Sequence, residues 1–141
     1  MGSKRIILAD DEAYVTTTLS AKLRAAGHEV TVACNGEEAF QLAGANPPDL
    51  LVTDYQMPVL SGYEMSVKLK GQPLTSGVPV LMLTARGHHL SPEQLSLTNI
   101  RAVLAKPFSA REVVAKVNEL LAAASAPTAL ASRAAPLGGQ T

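Results

Sequence analysis

Cysteine, tryptophan, surplus charge and long apolar runs are scarce or missing in this 141-residue chain, and each gap removes a class of explanation. One cysteine, Cys34, cannot close an internal disulfide, which fits a reducing compartment. Its position after Val30-Thr31-Val32 predicts a small buried side chain rather than a reactive thiol. Aromatic residues are 4% of the chain and Trp is absent, so the core must be aliphatic and stacking on bases is disfavoured. Lys plus Arg is 12 and Asp plus Glu is 12. That balance leaves no cationic footprint, so no direct nucleic-acid or membrane contact is expected. No apolar stretch is long enough to span a bilayer, and the amino terminus lacks a signal-peptide pattern, so a cytoplasmic location is expected.

What the chain does contain is enough for one folded domain: 47% of it is apolar. Four short apolar runs each end on a chemically active residue. Ile6-Ile7-Leu8-Ala9 leads into Asp10-Asp11, and Leu50-Leu51-Val52-Thr53 into Asp54. Val80-Leu81-Met82-Leu83 leads into Thr84, and Ala102-Val103-Leu104-Ala105 into Lys106-Pro107. In a parallel sheet with helical crossovers the carboxyl ends of all strands open on one edge, where ligands bind. Three carboxylates, a hydroxyl and an ammonium would meet there. Crowded like charges are costly unless a cation joins them.

Strand and helix patterns alternate to about Ala124. Strands are expected at about Lys4–Ala9, Glu29–Ala33, Asp49–Thr53, Val80–Leu83 and Arg101–Ala105. Helices are expected at about Glu12–Ala26, Glu37–Ala45, Gly62–Lys70, Ser91–Leu97 and Ser109–Ala124. In the first helix Val15, Leu19, Leu23 and Ala26 share a stripe, and Gly27 supplies a left-handed cap. Ser91-Pro92-Glu93-Gln94 reads as a capping box, and Asn99 as a left-handed stop. His28 and the pair His88-His89 are expected at the surface. Residues 1–124 form one domain in this reading, and 125–141 a flexible Ala/Pro/Gly-rich tail. No DNA-binding or catalytic domain is seen after the fifth helix. A stand-alone protein and a piece of a longer regulator are equally compatible.

Asp10-Asp11, then Asp54 with Met57-Pro58 and Gly62, then Thr84-Ala85, then Lys106-Pro107-Phe108 resemble the receiver domain of two-component response regulators, in particular single-domain, chemotaxis-regulator-like ones. The resemblance covers about Lys4 to Ala124. It implies an α/β fold: a doubly wound, five-stranded parallel sheet of order 2-1-3-4-5, flavodoxin-like, with helices on both faces. It implies a phosphorylation-activated switch in a phosphorelay rather than an enzyme, with Asp54 accepting a phosphoryl group from a sensor histidine kinase or phosphotransfer protein. Mg²⁺ would be held by Asp11, Asp54 and the backbone carbonyl of Gln56, with Asp10 reaching it through water. Thr84, the Ala85 amide and Lys106 would bind the phosphoryl oxygens. A cis Lys106–Pro107 bond would aim Lys106 inward. The output would be a downstream protein, recognised near the fourth helix, fifth strand and fifth helix.

Taken singly, Asp10 and Asp11 can cap a helix and Asp54 can open a turn. Their joint occurrence with Thr84 and Lys106 favours the site. A flavin carrier of similar winding would need a phosphate loop where Asp10-Asp11 stands. An aspartyl-phosphate phosphatase would need an Asp at position 12, which is Glu12. Receivers commonly carry Tyr or Phe three residues before the lysine, and here that residue is Val103. The substitution keeps open an alternative, a constitutive protein-binding module that is never phosphorylated. It also shifts attention to the loop 86–90 as the route by which the surface changes.

Overall fold

The computed structural model describes residues 4–85 and 87–125. Of the segment 125–141, read above as a tail, Ser125 is the last residue of the fifth helix, and 126–141 lies outside the described residues, as does Arg86 of the loop 86–90. Among the described residues five strands alternate with five helices. The strands are β1 (Arg5–Ala9), β2 (Glu29–Ala33), β3 (Leu50–Asp54), β4 (Val80–Thr84) and β5 (Ile100–Ala105). The helices are α1 (Ala13–Ala25), α2 (Gly36–Ala45), α3 (Gly62–Lys70), α4 (Pro92–Ser96) and α5 (Ala110–Ser125). All strand pairs are parallel and the sheet order is β2-β1-β3-β4-β5, as expected.

Burial explains why the runs read as they do. Residues of β3 and β4 are buried throughout and β1 nearly so, because helices cover both faces of the three central strands. Alternate residues serve opposite layers. Ile6, Leu8, Leu50, Val52, Leu81 and Leu83 pack on Leu19 and Leu23 of α1 and Val113, Val117 and Leu121 of α5. Ile7, Ala9, Leu51 and Val80 pack on Ala39 and Ala43 of α2 and Met65 and Leu69 of α3. Each Val, Leu, Ile or Met side chain among them contributes about 1.5–3 kcal/mol when fully buried. The outer strands β2 and β5 alternate in exposure along their length.

One irregularity marks β5. Val80 pairs with Ile100 but Leu81 pairs with Ala102, so Arg101 is an extra residue in a bulge. The register is regular from there to Thr84 opposite Ala105.

Helix ends follow from side-chain caps. Asn35 accepts the Glu38 N–H at 2.8 Å, and Ser61 and Glu64 form a reciprocal box, as do Ser91 and Gln94. Gly27 has φ 99, the left-handed residue after α1. Ala26 is the cap of α1 and exposed, so the apolar stripe stops at Leu23. Asn99 has no left-handed backbone. The Thr98 hydroxyl instead bonds the Leu95 carbonyl and accepts the Ile100 N–H, and Asn99 is buried with its carbonyl accepting from Val80.

Cys34 is exposed, contrary to the sequence reading. It lies one residue past β2, in the turn before Asn35, where the sheet no longer covers it, and its N–H donates to Glu38 Oε1 at 2.7 Å. His28 is half-buried rather than at the surface, its Nε2 2.9 Å from Asn118 Oδ1 of α5.

Candidate functional site

The carboxyl edge of the sheet carries a cavity of about 300 Å³ lined by Asp11, Glu12, Asp54, Tyr55, Gln56, Ala85, His88 and Lys106. Strand ends put these residues there. Asp54 closes β3, and the next N–H, that of Tyr55, donates to the Leu83 carbonyl of β4 at 2.8 Å. Lys106 follows β5, its N–H donating to the Thr84 carbonyl at 2.8 Å, and the Lys106–Pro107 bond is cis.

The two aspartates after β1 part company. Asp11 is exposed on the cavity wall, whereas Asp10 is only 2% exposed behind it. Asp10 Oδ1 accepts the Glu12 N–H at 2.9 Å, while its Oδ2 is buried without a partner among the described residues. Thr84 is likewise fully buried behind the wall, its hydroxyl without a partner among the described residues. The sequence-predicted set is therefore split: Asp11, Asp54, Gln56, Ala85 and Lys106 face the cavity, and Asp10 and Thr84 stand just beneath it.

Glycine permits the arrangement at one position. A Cβ on Gly62 would stand 2.1 Å from the Asp54 carbonyl oxygen, so no larger residue fits without moving the strand end. Its N–H ties back to the Tyr55 carbonyl at 2.8 Å. The loop between also holds Val59 at φ 71, a strained backbone for a β-branched residue.

Electrostatics set the character of the site. Carboxylate oxygens of Asp10, Asp11 and Asp54 lie within 4.8 Å of one another. Burial raises the Asp10 pKa to about 6, with the Asp54 charge adding to the effect. Burial also raises Asp54, against the pull of Lys106. Lys106 Nζ lies 3.4 Å from Asp54 Oδ1 and 3.7 Å from Glu12 Oε1. Partial burial pulls the Lys106 ammonium down, but the carboxylates of Asp54 and Asp10 outweigh it and hold it above its ordinary value. Among the described residues Lys106 is the one cation on the cavity wall, and one ammonium does not neutralise three carboxylates. Oxygen-only donors, a buried orphan carboxylate oxygen and unrelieved negative charge fit a hard divalent cation.

Sequence reasoning missed two residues of the wall. Glu12 reaches back to Lys106 rather than only opening α1, where its side chain makes no cap. His88 is half-buried against Tyr55, with ring centroids 4.3 Å apart, while His89 is exposed. The left-handed Gly87, a turn former, was the available signal for His88.

A family model described as the response regulator receiver domain matches residues 6–118. The phosphate regulon transcriptional regulatory protein PhoB of Pseudomonas aeruginosa is 35% identical over 121 residues, 86% of this chain and 53% of that protein. The chain thus spans about half the length of the curated relatives it matches. Among solved structures, chemotaxis response regulator CheY4 of Vibrio cholerae is 26% identical with a TM-score of 0.75, over 86% of this chain and 99% of that one. The receiver domain of a sensor histidine kinase from Pseudomonas aeruginosa PAO1, solved with a magnesium ion coordinated in the active site cleft, is 28% identical with a TM-score of 0.72. That match covers 86% of this chain and 97% of the other.

Proposed function

The chain belongs to the response regulator receiver family of two-component systems, and from that premise we propose that it is a phosphorylation-activated switch with Asp54 as phosphoacceptor. The observation that carries this reading is Asp54 itself, buried at a strand end with Lys106 at 3.4 Å and two further carboxylates beside it. Asp54 Oδ would attack phosphorus of a phosphohistidine on a sensor kinase or phosphotransfer protein. An oxygen–phosphorus bond forms while the donor's phosphorus–nitrogen bond breaks, its electron pair returning to the imidazole. Later attack by water returns the carboxylate and releases phosphate.

Asp10, Asp11, Asp54 and the Gln56 carbonyl are the oxygens that would hold Mg²⁺. When bound, the ion offsets the repulsion between these carboxylates and an incoming anionic phosphoryl group. Lys106 adds a compact positive charge to the same cavity, and Ala85, whose amide would donate to the phosphoryl oxygens, lines its wall. Thr84 must turn its buried hydroxyl toward the cavity to join them.

In this reading the chain accepts and loses one phosphoryl group and turns over no separate substrate. Its output is a change of protein-binding surface. For residues 4–125 we propose a protein partner rather than nucleic acid, since the chain's net charge is zero and aromatics are few. A cytoplasmic location is part of the same proposal, and no helix among the described residues is long and apolar enough to cross a membrane. Val103, 41% exposed and without a ring, favours the one rival, a constitutive binding module.

Incubation with Mg²⁺ and acetyl phosphate, read by intact mass, separates the two. A single added phosphate is expected on the wild type and none on Asp54→Asn. Identical masses for both proteins would leave the constitutive module standing.

A further inference from the structure

On the wall of the acidic cavity lies a buried ring nitrogen that no described residue bonds. His88 lines the cavity with Asp54 and Lys106, and its Nε2 is shielded from solvent without a hydrogen-bond partner among the described residues. Backbone geometry sets its place. Gly87 takes φ 83, and the His88 N–H closes a turn on the Ala85 carbonyl at 3.1 Å. That turn lays the imidazole on the Tyr55 ring at 4.3 Å and 56°. Tyr55 follows Asp54 in the chain and stacks on Tyr63 of α3, with centroids 6.4 Å apart at 21°. The Tyr63 hydroxyl donates to the Gln94 carbonyl of α4 at 3.1 Å. An unbroken line of contacts therefore joins the cavity to α4.

Two other observations bear on that line. α4 buries none of its residues, so its capping box and the Tyr63 bond are prominent among its attachments. In β5, Val103 has no ring to report on the cavity.

A desolvated nitrogen without a partner is unfavourable, and a ligand oxygen would relieve it. A phosphoryl group on Asp54 would bring anionic oxygens into the cavity that His88 lines, and N–H donation to anionic oxygen is among the stronger hydrogen bonds. We propose that His88 is a further binding residue for the phosphoryl group, and that its turn from Tyr55 to the phosphoryl oxygens carries the state of the site through Tyr63 to α4. This rests on Asp54 being the phosphoacceptor. Without the phosphoryl group the ring stays on Tyr55. With it, Nε2 gains a partner, Tyr55 loses its neighbour, and the Tyr63–Gln94 bond is released. A ligand shifts a two-state element only by interacting differently with the two states, and His88 supplies that difference because Nε2 is bonded in only one.

The test is titration of the full chain with beryllofluoride at saturating Mg²⁺, followed by two-dimensional ¹H–¹⁵N NMR that includes the imidazole nitrogens. In the wild type the His88 Nε2 signal and the α4 amides are expected to shift with saturation, and Asp54→Asn to show neither change. His88→Ala should still form the adduct, about tenfold more weakly, with the α4 amides unmoved. His88→Gln keeps a donor and should recover part of the affinity. Tyr63→Phe should bind within about twofold of wild type yet lose the α4 response. Wild-type affinity and a full α4 response in His88→Ala would overturn the inference while leaving Asp54 as acceptor. No adduct in the wild type would overturn both.

Discussion

Asp10 and Asp11 are neighbours in the chain with opposite surroundings, and the buried one governs how the site responds to pH. The Asp10 pKa is about 6 in the fold against an ordinary 3.8, with burial as the main cause. Between those values the folded protein holds a proton that the unfolded chain has released. Stability therefore falls as pH rises from about 4 to about 6, and the loss is complete above 6. Two pH units correspond to about 3 kcal/mol. Asp54 is raised as well, for the same reason, and acts in the same direction. Asp10→Asn keeps an oxygen for the Glu12 N–H without the buried charge. Urea unfolding in EDTA should find this variant more stable than wild type by about 2–3 kcal/mol at pH 7.5 and little different at pH 4. The stabilisation of the wild type by added Mg²⁺ at pH 7.5 should be largely lost in the variant. Equal stability of the two proteins at pH 7.5 would show that Asp10 is not strained by its burial.

Among the elements, α4 is held differently from its fellows. The other helices bury apolar residues against the sheet, whereas α4 relies on the reciprocal Ser91–Gln94 cap, with bonds of 3.0 and 2.8 Å, and on Tyr63. Ser91→Ala removes one capping bond, worth about 1 kcal/mol. Hydrogen exchange should show the α4 amides opening about fivefold more often, while the urea midpoint of the whole protein hardly moves. A loss of global stability of similar size would show that α4 folds and unfolds with the rest. This cap is legible in the sequence alone, because Ser-Pro-Glu-Gln states its own geometry locally. Asn99 misled for the complementary reason. Its residue type suits a left-handed stop, but the Thr98 hydroxyl had already closed the helix, a contest that residue preference alone does not settle.

Across the whole molecule, what could be read from sequence was whatever depends on one run at a time. Central strands buried on both faces appear as unbroken apolar words, and the carboxyl ends of such strands must share an edge. That placed Asp54 and Lys106 in one cavity. It did not separate Asp10 from Asp11 by depth, because the turn after β1 sends one inward and one out. Nor did it place His28 or His88, whose partners Asn118 and Tyr55 come from distant elements. Cys34 failed similarly: the apolar run ended one residue before it, at the rim of the sheet.

The bulge in β5 makes this chain tolerant of a change in its own length. Ile100 packs with the α2–α3 layer and Ala102 with the α1–α5 layer, so Arg101 is the surplus residue between them. Excising Arg101 would bring Ile100 and Ala102 into direct succession opposite Val80 and Leu81, with every downstream pairing to Ala105 kept. The shortened protein is expected to retain its amide spectrum around Asp54 and Lys106, whereas excising Val103 would leave Ile100 opposite Val80 but bring Arg101 opposite Leu81, turning its charge into the α1–α5 layer and Ala102 away from it, and so destabilise the edge. A receiver one residue shorter should thus be an ordinary receiver, provided the missing letter is the arginine.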